Sequence, residues 1–149
     1  LGTRKKCVFC EILRGRAPAR IVAENRRAVA LLDIQPYAAG HSLVISRRHV
    51  PFWHDLDEEE VIDIFRLARQ VAQLIKKALR PEFVSLYARG RRIPHTHIFL
   101  VPTRKGEPFD RHFNALEGFQ EGARELAGLQ QPQRLDEIKE LLLAARKKR

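Results

Sequence analysis

The chain has 149 residues, 44% hydrophobic and 31% charged, with eight glycines and eight prolines; that suffices for one ordinary core and excludes a disordered, collagen-like or low-complexity chain. Its 28 basic against 18 acidic residues leave a net charge of +10, which favours anionic partners such as nucleotides or nucleic acid. No apolar run approaches the roughly 20 residues of a membrane span, and residues 1–6 carry no apolar leader, so a cytoplasmic protein without membrane association is expected.

Residues 7–14 read as a short helix through Val8, Ile12 and Leu13, stopped at Gly15 with Pro18 beyond. Residues 20–24, 28–32 and 42–46 are short aliphatic or β-branched runs separated by turn residues, and read as antiparallel strands. A long helix is predicted over residues 58–79. Asp57 and Glu60 form a capping box, acidic residues crowd the first turn, Lys76 and Lys77 the last, and Pro81 follows. Val61, Ile64, Phe65, Ala68, Val71, Ala72, Ile75 and Leu79 trace its buried face at helical spacing. Residues 83–87 and 93–101 are two further strands, joined by an arginine-rich turn, the second ended by Pro102. Helices over residues 109–126 and 135–148 close the chain. The pattern is α+β with an antiparallel sheet and a long helix. It divides into a core over residues 1–106 and a C-terminal helical extension over 107–149.

Two groups of residues carry chemistry. Cys7 and Cys10, the only cysteines, form a CxxC at the start of the chain. A disulfide across two intervening residues gains little, and a redox motif belongs between a strand and a helix, so zinc is the better reading if two more ligands exist. The second group lies in Ile93-Pro94-His95-Thr96-His97-Ile98-Phe99, where strand alternation puts His95, His97 and Phe99 on one face. Just ahead stand Arg89, Gly90, Arg91 and Arg92. Gly90 permits a tight backbone, and the guanidinium groups can reach a phosphate. A nucleophile or base beside an anion clamp is what phosphoryl and nucleotidyl transfer require, although an HxH pair alone suits metal binding equally well.

These residues stand in a fixed order with Cys7-Val8-Phe9-Cys10-Glu11-Ile12, Leu32-Asp33-Ile34-Gln35-Pro36, Gly40-His41-Ser42-Leu43-Val44-Ile45 and Arg47-Arg48-His49, with Gly90 five residues ahead of His95. Over residues 7–102 the chain resembles the histidine triad (HIT) family of nucleotide hydrolases and transferases. The resemblance implies a HIT-like fold and a homodimer whose strands combine into one extended sheet. It implies attack at the α-phosphate of a purine nucleotide derivative, whether a phosphoramidate, an aminoacyl adenylate or a dinucleoside polyphosphate. His97 would be the nucleophile and form a nucleotidyl-histidine intermediate. Asp33 would hold the ribose hydroxyls and Ile34 would pack near the base, with His41, Gly90 and Phe99 lining the same site. Zinc-containing bacterial members imply a structural site of Cys7, Cys10, His49 and His95; His54, five residues after His49, is the rival fourth ligand by spacing. The family's use of C-termini to cover the partner's active site offers Phe109, Arg111 and His112 a part in specificity, against the plainer reading that they only pack.

Three departures from the family pattern matter. Phe99 occupies the third histidine position and cannot donate a hydrogen bond. Arg91 and Arg92 stand where Gln and a small hydroxyl residue are common, and Tyr87-Ala88-Arg89 replaces an Asn-containing loop. Arg91 or Arg92 is therefore expected to supply transition-state charge stabilisation that a third histidine otherwise shares; the uridylyltransferase branch also does without that histidine. Two other readings remain at this point. One is a nucleotide-binding or regulatory module in which Phe99 marks lost catalysis. The other is a nucleic-acid end-processing enzyme, which lacks a recognisable groove-reading helix or aromatic single-strand platform here.

Overall fold

The structure, a computed structural model, describes residues 6–146. A short helix α1 (Val8–Leu13) is followed by strands β1 (Ile21–Glu24), β2 (Ala28–Leu32) and β3 (Ser42–Ser46). A 3₁₀ turn at Trp53–Asp55 leads into α2 (Glu58–Leu79), then β4 (Phe83–Tyr87) and β5 (His97–Thr103). Helices α3 (Pro108–Gly122) and α4 (Pro132–Arg146) follow, with a 3₁₀ turn at Arg124–Leu126 between them. The five strands form one antiparallel sheet in the order β1-β2-β3-β5-β4. This is the α+β architecture with an antiparallel sheet and a long helix that the sequence predicts.

Strand alternation sorts the core into two layers. Ala28, Ala30, Val44, Ile98 and Leu100 face α2 and pack against its Ile64, Leu67, Ala68, Val71 and Ile75. Val29, Leu31, Leu43 and Ile45 face the other way, onto Phe9, Ile12 and Leu13 of α1 and onto Phe99. With both faces covered, β2 and the Leu43–Ile45 centre of β3 read as unbroken apolar runs. The buried stripe of α2 is rotated from the expected one: Leu67 is fully buried, while Phe65 and Leu79 are exposed. Truncating Leu67 to Ala is expected to cost about 2–5 kcal/mol.

Local chemistry sets the ends of these elements. Asn25 turns the β1–β2 hairpin, its Oδ1 accepting from the amides of Arg27 (3.1 Å) and Ala28 (2.9 Å). Asp57 and Glu60 make the expected capping box, and α2 ends at Arg80 in the left-handed region. Strand β5 differs from the expectation at both ends. It starts at His97, because residues 91–96 form bends held to the segment after β3: Thr96 donates its amide (2.6 Å) and its hydroxyl (2.8 Å) to the Val50 carbonyl. It runs through Pro102, because the Thr103 carbonyl accepts from Glu82 on the β4 side (3.1 Å), so Pro102 points its nitrogen the other way. There β3 has already ended at the Ser42–Leu100 pair, and no donor is needed.

The expected helix over 109–126 stops at Gly122, and the last helix starts three residues early, with Pro132 as its first residue, where a missing N–H costs nothing. Lys147 and Lys148, assigned to that helix from the sequence, lie outside the described residues. The chain divides into two compact units, one through Asp110 and one from Arg111.

Candidate functional site: a histidine centre beside a Cys₂His₂ cluster

His95 precedes β5, yet it shares a face with His97 and Phe99 as expected. Phe9 packs against both imidazoles, with ring centroids 5.6 Å from His95 and 5.2 Å from His97. Each histidine is oriented by a backbone carbonyl, and in opposite senses. His95 donates from Nε2 to the Ser46 carbonyl (2.7 Å), which leaves the Nδ1 lone pair free. His97 donates from Nδ1 to the His95 carbonyl (2.6 Å), which leaves the Nε2 lone pair free. Burial pushes both imidazoles below their ordinary pKa, against the opposing pull of those carbonyls. Both are therefore neutral at pH 7.

The free Nδ1 of His95 meets three other donors. It lies 3.4 Å from Cys7 Sγ, 3.6 Å from Cys10 Sγ and 3.2 Å from His49 Nδ1, and His49 Nδ1 is 3.3 Å from Cys10 Sγ. All four ligand atoms fall within 4.8 Å of one another. A tetrahedral zinc ion with N and S ligands needs them about 3.3–3.8 Å apart, so the donor set and its spacing are compatible with zinc. Burial pushes the Cys10 thiol up, and the neighbouring Cys7 adds to it, so the pair favours a cation that compensates two thiolates. His54 is not in the cluster. It is exposed on the 3₁₀ turn and stacks on Phe52, with centroids 5.5 Å apart.

His97 faces a shallow depression lined by Pro51, Phe52, Ala88, Arg89, Gly90 and Thr96. Gly90 has φ +71°, and a Cβ there would come within 3.1 Å of the Pro51 carbonyl oxygen and 3.3 Å of the Phe52 ring. The loop therefore approaches the Pro51–Phe52 segment closely only with glycine. Arg89 lines this depression; Arg91 and Arg92, singled out from the sequence, are exposed and do not line it.

Asp33 ends β2. Its amide donates to the His41 carbonyl (3.0 Å), and its Oδ1 accepts from the Gln35 amide (2.8 Å), an Asx turn that fixes the carboxylate. His41 Nδ1 accepts from the Tyr37 amide (3.2 Å), so its proton sits on Nε2. That nitrogen is buried without a hydrogen-bond partner, 3.7 Å from Asp33 Oδ2. Burial pushes His41 down, with the Asp33 charge opposing. Ile34 is 82% exposed at the turn's tip.

Apart from Phe109, sequence reasoning missed the aromatic surroundings. Tyr87 pairs across the strands with Phe99, and their rings stack at 4.5 Å, 3° from parallel. Phe9, Tyr37, Tyr87 and Phe109 are all in ring contact with a site histidine or with Phe99 or its stack. The one available signal was the parity of Tyr87 on a strand antiparallel to β5. Phe109 is buried, while Arg111 and His112 belong to the second unit and are exposed.

Comparison with protein families matches the HIT domain to residues 14–106, downstream of the CxxC. Adenosine 5′-monophosphoramidase of Schizosaccharomyces pombe is 35% identical over 101 residues, covering 64% of this chain and 73% of that protein. An uncharacterised HIT-like protein of Mycoplasma genitalium is 32% identical over 106 residues, covering 68% of this chain and 75% of that one. A zinc-bound histidine triad family protein from Mycobacterium smegmatis superposes with TM-score 0.64 at 28% identity, over 69% of this chain and 78% of that one. A HIT family protein from Bacillus anthracis covers 96% of this chain and 99% of its own with TM-score 0.77; at 24% identity it speaks to the fold alone. A chain that carries this domain over residues 14–106, on this sheet and with this histidine pair at the head of β5, belongs to the HIT domain family.

Proposed function

We propose that this protein is a nucleotidyl hydrolase or transferase that attacks the α-phosphate of purine nucleotide derivatives through a nucleotidyl-His97 intermediate. The observation that carries the reading is the tautomer of His97: its Nδ1–H is committed to the His95 carbonyl, so a neutral Nε2 with a free lone pair faces the depression beside Gly90. A buried, neutral, pre-oriented imidazole is a competent nucleophile at neutral pH. Its Nε2 bonds to phosphorus while the leaving group departs with the electron pair of the broken bond. Water or another acceptor then releases the nucleotide and restores His97.

The other residues bind and orient. Asp33, fixed by its Asx turn, accepts from the ribose hydroxyls, and Ile34 packs near the base. His41 and Phe99 line the nucleotide site, and Gly90 allows the loop close to the phosphate. Arg91 or Arg92, exposed two and three residues along from the Arg89 that lines the depression, would have to reach in to supply positive charge to the phosphoryl oxygens in place of a third histidine. Cys7, Cys10, His49 and His95 hold a structural zinc ion, whose contribution is to tie α1 to the loop after β3 and to the head of β5. Phosphoramidates are the first substrates to try, since one relative is named an adenosine 5′-monophosphoramidase.

The test is to mix the protein with α-phosphate-labelled adenosine phosphoramidate or diadenosine polyphosphate, quench, and look for AMP and for acid-labile label on the chain. Label or AMP that disappears in His97→Ala is the expected result. Tight nucleotide binding with neither signal would reject the hydrolase reading in favour of a binding module. Arg91→Ala together with Arg92→Ala is expected to slow turnover about 10-fold or more; unchanged turnover would remove both from the mechanism.

A further inference from the structure

Phe99 leaves the proposed reaction without a proton donor for the leaving group at the triad's third position, and the structure holds a group that can do that work. This inference rests on the nucleotidyl-transfer reading above. Five rings close on themselves around the position: His41 to Phe99 (5.5 Å), Phe99 to Tyr87 (4.5 Å), Tyr87 to Phe109 (6.2 Å), Phe109 to Tyr37 (5.4 Å) and Tyr37 back to His41 (5.2 Å). Three of the five are hydrocarbon-faced walls or imidazole. Only Tyr37 and Tyr87 bring a hydroxyl.

Tyr87 is placed for the task by the sheet itself. It is the direct cross-strand partner of Phe99, and the two rings run side by side, 3° from parallel. Its phenol oxygen is therefore carried past the edge of the neighbouring phenyl ring, whose centroid is 5.1 Å from that of His97. The hydroxyl is hydrogen-bonded to Tyr37 and lies within electrostatic reach of Asp33, the carboxylate that also acts on His97 and His41. It also feels Arg89, which lines the depression at His97. Tyr87 thus stacks on the residue that replaces the third histidine, and its hydroxyl shares Tyr37, Asp33 and Arg89 as neighbours with the histidine site.

We propose that Tyr87 is the general acid of this site, delivering from β4 the proton that Phe99 of β5 lacks. In the first step His97 Nε2 forms a bond to the α-phosphorus, and the bond from phosphorus to the leaving nitrogen or oxygen breaks. The electron pair goes to the departing atom, which takes the proton of the Tyr87 hydroxyl. In the second step water attacks phosphorus and gives a proton back to the Tyr87 oxygen. The phosphorus–nitrogen electron pair returns to His97, and the nucleoside monophosphate leaves. One water is consumed, and both side chains are restored. Hydroxyl hydrogens rotate freely, so Tyr37 can donate to the Tyr87 oxygen while its proton is away. Burial, reinforced by Tyr37, pushes the Tyr87 phenol up, which keeps it protonated until a more basic atom is created beside it.

The experiment is a rapid-quench measurement of His97 labelling with two adenylates: an alkyl phosphoramidate, whose amine must be protonated to leave, and a p-nitrophenyl ester, whose phenolate leaves unaided. Tyr87→Phe keeps the ring and its stack and removes only the hydroxyl. It is expected to slow labelling by the phosphoramidate about 100-fold or more, to leave labelling by the p-nitrophenyl ester within about 3-fold, and to leave AMP affinity unchanged. Adding Phe99→His to Tyr87→Phe is expected to recover most of the phosphoramidate rate. Equal losses on the two substrates, or no loss on either, would overturn the assignment, as would failure of the histidine to rescue. If the wild-type protein labels with neither substrate, the nucleotidyl-transfer reading itself falls, a result distinct from any of these.

Discussion

His95 and His97 are two residues apart and use opposite ring nitrogens, because each spends the other nitrogen on a different carbonyl, of Ser46 and of His95 itself. One imidazole therefore turns Nδ1 toward the thiols, and its neighbour turns Nε2 toward the depression. The His95 carbonyl joins the two: displacing His95 also displaces the group that sets the His97 tautomer. Loss of the proposed zinc is thus expected to disturb the orientation of His97, the proposed nucleophile. In metal assays on protein purified without chelator, His49→Ala should fall well below one zinc per chain, and His54→Ala should stay near one. Retention in the first variant, or loss in the second, would refute the four-ligand assignment. The histidines and cysteines were legible as residue types at familiar spacings. Their tautomers were not, because Ser46 and His49 reach His95 only through the β3–β5 pairing. Gly90 was legible as a glycine in a tight turn, but the reason for it, the carbonyl of Pro51 at 3.1 Å, is a tertiary contact. Gly90→Ala is expected to cost about 1–2 kcal/mol through its positive φ alone; a chemical-denaturation curve superimposable on wild type would contradict this.

Among the elements, α2 was the most legible, since its start, stop and periodicity all lie within 25 residues of one another. Strand β5 was the least, since its first residues are drawn off by Val50 and its proline is tolerated only because β3 has already ended. The start of α2 is also tied to the site. Glu60, nearly buried, accepts from the Asp57 amide (2.9 Å) and from both Arg48 Nε (2.9 Å) and the Arg48 guanidinium terminus (2.6 Å). Arg48 is the residue before His49, so the helix cap and the Cys₂His₂ cluster share one stretch of backbone. The Arg48 hydrogen bond is the main cause holding the Glu60 carboxyl below its ordinary value of 4.5, with the Asp57 amide adding to it and burial opposing. A depressed carboxyl stabilises the fold above its unfolded-state pKa, and that stability is lost as the pH falls through the folded-state value. Glu60→Gln keeps an acceptor for the cap but loses the charge; because Arg48 is half-exposed, the expected cost at pH 7 is only about 1 kcal/mol. In urea unfolding the gap between wild type and variant should close as the pH drops below 4.5. A gap independent of pH would mean that the amide geometry, and not the charge, holds the cap.

At the scale of the whole molecule, the sheet has two outer strands, and they are not equivalent. Strand β1 has only four residues, and its register with β2 shifts between Ile21 and Ala23, an irregularity that blunts an edge. Strand β4 pairs with β5 in unbroken register over five residues, and it presents Phe83 and Leu86 at 51% and 49% exposure. A regular edge that no other strand pairs among the described residues, with half-exposed apolar side chains, is a template for a second strand. The family resemblance implies that two copies of the chain join into one extended sheet, and this edge makes β4 the strand we propose for the join. The second unit exposes an apolar groove of its own, lined by Leu129, Leu135, Ile138 and Leu142; it therefore serves as the control. In sedimentation equilibrium the wild-type protein is expected to run as a dimer. Leu86→Lys, which puts a charge on the edge, should weaken association about 10- to 100-fold, whereas Leu142→Glu should leave it unchanged. A monomeric wild type would end the dimer proposal. A dimer dissociated by Leu142→Glu but not by Leu86→Lys would move the interface from the sheet edge to the C-terminal helices.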